Sequence, residues 1–213
     1  LSGGYYRTSP AATLTDSEDY NGSAWTTTNP TINALGKRTG CGTVTAGLEA
    51  GGDDIGPAAP VATSESYDGT SWANVASLNT ARSMAATHNG VLTAAFTIGG
   101  RTPSLVDQVE EFNGTGWSET TDINTPKDGI MGSGTTALAL IYGGQVPAVT
   151  NEAESWDGTT WTQVDTLATA RAKGGGAGTT NVGGLCICGG QPGYGTNVEE
   201  FSVGNTVKTV TVS

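Results

Sequence analysis

Two oppositely charged side chains return in step along this chain. Glutamates stand at Glu18, Glu65, Glu110, Glu154 and Glu199, and basic residues at Arg38, Arg82, Lys127 and Arg171, each set spaced by about 45 residues. A carboxylate and a cation that repeat together have two uses. They can make charge-assisted hydrogen bonds inside the fold, within or between repeats. If the basic groups point outward instead, they form an anion-binding set in which fork geometry favours arginine. Other reactive types are few. Asp53-Asp54 could serve acid–base chemistry or bind calcium, although adjacent loop acids are ordinarily just solvated. The one histidine, His88, stands beside Asn89-Gly90 and reads as a turn residue. Cys41, Cys186 and Cys188 are odd in number and lack C-x-x-C spacing, which points away from a disulfide framework and from zinc. Cys186 and Cys188 read as small core residues on one face of a strand. No catalytic set, metal site or cofactor site is expected.

The elements that hold these groups follow from composition and period. The chain has 213 residues, 33 of them Gly, and 20 acidic against 9 basic residues give a net charge of −11. A helix interior loses about 1 kcal/mol per Gly relative to Ala, so long helices are excluded. So few cations cannot build the basic stripe that nucleic acid requires. Apolar runs such as Leu138 to Tyr142 and Leu92 to Ile98 fall well short of the roughly 20 residues of a spanning helix, and no membrane insertion is expected.

Self-similarity organises the rest. Glu65-Ser-Tyr-Asp-Gly-Thr-Ser-Trp72 matches Glu154-Ser-Trp-Asp-Gly-Thr-Thr-Trp161, and segments 110–117 and 18–25 follow the same pattern. The aromatic residues Tyr20, Tyr67, Phe112, Trp156 and Phe201 are 47, 45, 44 and 45 residues apart. Trp25, Trp72, Trp117 and Trp161 keep step, as do Gly3-Gly4, Gly51-Gly52, Gly99-Gly100, Gly143-Gly144 and Gly189-Gly190. Within one period, 83–89, 91–98, 107–112 and 116–121 read as four strands, the second suited to burial on both faces. Asn21-Gly22, Asp68-Gly69, Asn113-Gly114 and Asp157-Gly158 tolerate positive φ and join the third and fourth strands. Four antiparallel strands per 45 residues make a propeller blade. The expectation is one all-β domain over 1–213, a β-propeller of about five four-stranded blades, with repeats near 1–29, 39–76, 83–123, 129–166 and 173–213 and the first blade incomplete. The last strand, or residues upstream of Leu1, would complete it.

The order of double glycine, Glu-x-aromatic, turn, Trp and basic residue resembles the kelch repeat family over nearly the whole chain, which implies a kelch-like propeller. The Asp-Gly-Thr-Ser-Trp and Leu-Asn-Thr-Ala-Arg phrasing is also similar to uncharacterised kelch-like repeat proteins of marine bacteriophages. Propellers similar to galactose oxidase hold copper with histidine and tyrosine, a site that one histidine cannot assemble. Segment 66–72 resembles the sialidase Asp-box but is one residue short, and an Asp-box is a structural turn.

Within such a fold, Trp25, Trp72, Trp117 and Trp161 read as blade-packing residues, and the paired glycines as sites of close strand approach and unusual dihedrals. Lys37, Arg38, Arg82, Arg101, Lys127, Arg171 and Lys173 would share one face with the loops after the double glycines, 53–60, 101–105, 145–149 and 191–195. Arg38, Arg82, Arg101, Lys127, Arg171 and Tyr194, the last on a glycine-flanked tip, are the candidate ligand-binding residues. The functional expectation is a non-enzymatic virion surface or tail-appendage protein that meets other virion proteins and a host glycan or protein. A secreted or cell-surface adhesion module is the alternative, and a carbohydrate-active enzyme a further one.

Overall fold

The computed structural model describes residues 5–6, 12–54, 59–86, 90–190, 196–202 and 206–210. Every helix or strand assigned among them is a β-strand. The chain opens with a ribbon of β1 (Tyr5–Tyr6) and β2 (Ala12–Thr13), then the hairpin β3 (Glu18–Tyr20) and β4 (Trp25–Thr27). Blade I is β5 (Thr39–Thr43), β6 (Ala46–Ala50), β7 (Ser64–Tyr67) and β8 (Trp72–Val75). Blade II is β9 (Gly90–Val91), β10 (Ala94–Ile98), β11 (Val109–Phe112) and β12 (Trp117–Glu119). Blade III begins with β13 (Met131–Gly134) and β14 (Ala139–Tyr142), passes the ribbon β15 (Gln145–Val146) and β16 (Ala148–Val149), and ends with β17 (Ala153–Trp156) and β18 (Trp161–Val164). Blade IV is β19 (Gly175–Thr180), β20 (Gly183–Ile187), β21 (Val198–Ser202) and β22 (Thr206–Val210).

Each blade pairs its strands antiparallel in chain order. The protein is all-β and propeller-like, with four blades of four-stranded sheets. Of the first repeat, the described residues show the hairpin β3–β4, the equivalent of a third and fourth strand, so four blades are complete where about five were expected.

In blade II the expected 83–89 and 91–98 strands shift. Val91 ends the first strand and pairs with Ala94, so the chain reverses at Leu92-Thr93. Ser83 and Ala86 touch the sheet only through isolated bridges, and 87–89, His88 included, lie outside the described residues. Gly90 is a strand crossing, not a turn: at φ +138° an added Cβ would lie 2.3 Å from the Ala94 carbonyl oxygen. Gly42, Gly134 and Gly178 repeat this close approach in the other first strands.

In the β3–β4 hairpin and in blades I to III the turns between third and fourth strands are four-residue loops. The Asp68 Oδ1 accepts N–H bonds from Thr70 and Ser71, and Asn113 and Asp157 do the same two and three residues on. These N–H donors hold the exposed Asp68 and Asp157 carboxyls below the ordinary aspartate value.

The core lies between blades. In blades I and II the residues three and one before the first glycine of the pair face the outer aromatic pair of the next blade. Leu48 and Ala50 meet Phe112 and Trp117, and Phe96 and Ile98 meet Trp156 and Trp161. Phe96 stands edge-on to Trp156 at 5.9 Å. A second strand covered on both sides reads as a nearly continuous apolar run, as the fully buried β14 does.

One paired-glycine assignment is corrected. Gly51, Gly99 and Gly143 donate to the carbonyl oxygens of Thr63, Gln108 and Glu152, and in blade IV the residue that makes this bond, to Asn197, is Cys188. Cys188 has φ +57° and Gly189 +113°, the dihedrals of Gly143 (+64°) and Gly144 (+109°). The structural pair is therefore Cys188-Gly189, and Gly190 bridges Ala172 as Gln145 bridges Asp128. Cys188 lies past the end of β20 and is exposed, so it does not share a strand face with the buried Cys186.

Candidate functional site

Each blade carries an internal ion pair between a basic residue ahead of its first strand and the glutamate of its third. Arg82 Nη2 bonds Glu110 Oε1 at 2.8 Å, while its Nη1 donates to the carbonyl oxygens of Gln108 at 2.8 Å and Gly99 at 3.3 Å. Glu110 also accepts the backbone N–H groups of Asn79 and Thr80 from the link between blades. Arg171 repeats this set with Glu199, Cys188 and Asn197. Lys127 reaches Glu154 at 2.9 Å, and Arg38 reaches Glu65 at 3.1 Å and Glu49 at 3.2 Å. These side chains are buried, Arg82 and Glu110 completely. Burial pulls the Arg82 guanidinium below its ordinary value, and the Glu110 charge opposes that.

This geometry corrects the expected cationic face. Arg38, Arg82, Lys127 and Arg171 point into the blades toward buried carboxylates, and at Arg82 and Arg171 one guanidinium also satisfies carbonyls at two strand ends. The remaining cations near them are also engaged. Arg101, its side chain 39% exposed, bonds the buried Asp128, Lys37 pairs with Asp53, and Lys173 donates to Gln145. Asp54 accepts a hydrogen bond from Thr13. Tyr194 and the whole 191–195 loop lie outside the described residues.

Burial also governs the thiols. It pushes Cys186 up to about 12 and Cys41 up to about 11, so neither is a thiolate at neutral pH. Among the described residues no group of three or more His, Cys, Asp or Glu could hold a metal ion.

What stands open is a cleft of about 650 Å³ between the β3–β4 hairpin and blade I, reaching Gly90 and Gly176 on the first strands of blades II and IV. Its walls carry Tyr20 and Trp25 on one side and Tyr67 and Trp72 on the other. The Tyr67 hydroxyl donates to Asp19 at 3.4 Å across it. The four outer aromatic pairs are built alike, with ring centroids 5.1–5.2 Å apart. Their covering differs: Trp117 and Trp161 are 8% and 6% exposed, Trp25 57%. For Trp25 the expected blade-packing role is not met, since no second strand covers it among the described residues. The sequence identified the tryptophan repeat but could not distinguish this copy, because what differs is the neighbour.

No protein-family model and no curated protein matches the chain. Among solved structures, one titled "Structure of YjhT" is similar, with a TM-score of 0.81, 16% identity, and coverage of 99% of this chain and 80% of that one. That likeness concerns the fold: the protein is a β-propeller.

Proposed function

We propose that the chain is a kelch-like propeller of about five blades acting as a non-enzymatic attachment protein of a bacteriophage virion surface or tail appendage. It holds other virion proteins on one side and a host-surface carbohydrate or protein on the other, by weak contacts multiplied over many copies. The observation that carries this reading is a division of labour. The repeating charges are used inside the blades, and the segments after the glycine pairs differ from blade to blade: a bridge from Arg101 to Leu105 in blade II, the ribbon β15–β16 in blade III. Variable loops on a rigid scaffold are where recognition concentrates. The purified chain applied to an array of neutral and acidic glycans should bind without altering them. Tyr194→Ala should weaken that binding about tenfold with an unchanged melting temperature. Absence of binding to every glycan and to intact bacterial cells, or turnover of a bound glycan, overturns the proposal.

A further inference from the structure

We propose that the cleft between the β3–β4 hairpin and blade I binds a neutral oligosaccharide. A sugar ring stacks on the Tyr20–Trp25 pair and donates its hydroxyls to the carboxylates beside it. The site is separate from the loops after the glycine pairs, so it goes beyond the attachment role and is tested apart from it.

Three observations define that ligand, and the aromatic pair is the first. Tyr20 and Trp25 hold the same ring geometry as the pairs of blades I to III, with centroids 5.2 Å apart and planes at 42°. The Phe112–Trp117 and Trp156–Trp161 pairs are buried, whereas Tyr20 and Trp25 are exposed and line the cleft. A phenol and an indole side by side make a rigid apolar surface at low entropic cost. The C–H face of a pyranose ring is flat and apolar in the same way, with its hydroxyls at the edge.

The second observation is the charge around that surface. Among the described residues lining the cleft, Glu18, Asp19 and Glu49 are acidic and none is Lys or Arg. Arg38, which pairs with Glu49, is itself buried inside blade I. Such a wall repels an anion. A wholly apolar occupant would strip water from the carboxylates without replacing its hydrogen bonds. A neutral sugar fits both halves, apolar on its face and a hydrogen-bond donor at its edge. A carboxylate has about four acceptor positions, so Asp19, which already accepts the Tyr67 hydroxyl, can take a sugar hydroxyl as well. The third observation is room. The cleft encloses about 650 Å³, inside the range of roughly 300–1,000 Å³ that small-ligand sites occupy. Gly40, Gly42 and Gly90 on its floor leave backbone bare of side chains, where a ligand can approach closely.

The probes are the neutral trisaccharides maltotriose, cellotriose and chitotriose, compared with a galacturonic acid trimer and with hexaproline. Titration of the full chain, followed by its indole N–H resonances, should show at least one neutral trisaccharide binding at roughly 1 mM or tighter. The Trp25 resonance should shift most. Trp25→Ala should weaken that binding about tenfold or more and leave the melting temperature unchanged. Asp19→Asn should weaken it by a smaller factor, and Tyr194→Ala should leave it as it was. No binding of any of the three sugars at about 10 mM, or undiminished binding by Trp25→Ala, overturns the proposal. So does tighter binding of the acidic trimer, or of hexaproline, which would make the cleft a polyproline groove. Attachment to bacterial cells through the loops is measured separately and can fail without affecting this result.

Discussion

Arg82 is a fully buried cation that ties several strands together. Its guanidinium joins the third-strand glutamate to carbonyls at Gly99 and Gln108, and its own carbonyl oxygen accepts the Gly52 N–H of the preceding blade. Removing one member of a buried pair leaves an uncompensated charge and is strongly destabilising, by about 3–5 kcal/mol. Arg82→Gln should therefore lower stability by about that amount in urea denaturation, with Glu110→Gln similar and the double variant losing less than the sum of the two. A change under about 1 kcal/mol would show that water reaches the pair. The sequence displayed these residues as a matched series and left two readings open, internal bonding or an outward ring. What decides between them is side-chain direction at the link between blades, and periodicity carries no information about that.

At the scale of the strand, the paired glycines show why residue identity alone misplaced one repeat. The first position of the pair needs a left-handed backbone, and at Gly143 an added Cβ would also lie 2.3 Å from the Arg171 carbonyl oxygen. Glycine is thus required twice over in blades I to III. In blade IV the position is held by Cys188, exposed and at φ +57°, so only the dihedral penalty remains. Counting glycines led to Gly189-Gly190; counting hydrogen bonds leads to Cys188-Gly189. A second recurring glycine is present in the sequence. Gly42, Gly90 and Gly134 each stand nine residues before the first glycine of their pair, marking the close approach in the first strands of blades I to III. Left-handed φ costs a residue with a Cβ about 1–2 kcal/mol. Cys188→Gly should then stabilise the protein by about 0.5–1 kcal/mol, part of the gain being offset by a more flexible unfolded chain. Gly143→Ala should destabilise it by several times as much, since backbone from the neighbouring blade must shift. Equal effects at the two positions in paired thermal melts would contradict this assignment.

Across the molecule, stability is distributed by how many neighbours each blade has. Blades II and III pack on both sides, and the cluster between them joins Phe96, Ile98 and Val109 to Ile141, Trp156 and Trp161, all nearly inaccessible. Repeated modules that touch only their neighbours have stabilities that sum intrinsic and interface contributions, so modules at an uncovered junction open first. The sequence predicted the modules well because apolar alternation, turn chemistry and the tryptophan register are local. It could not rank them, because ranking depends on which neighbour is present. In the hairpin β3–β4, Trp25 beside the turn is 57% exposed and Tyr20 47%. Burial of an aromatic side chain contributes roughly 1.5–3 kcal/mol, and that contribution is largely missing there. Native-state hydrogen exchange should consequently show β10 and β14 amides opening only with global unfolding, and β3 and β4 amides exchanging through local opening several kcal/mol cheaper. Mild denaturant should accelerate the first group steeply and barely change the second. Identical denaturant dependence in both groups would mean that the hairpin is held as firmly as the central blades, which its exposed aromatic pair cannot explain.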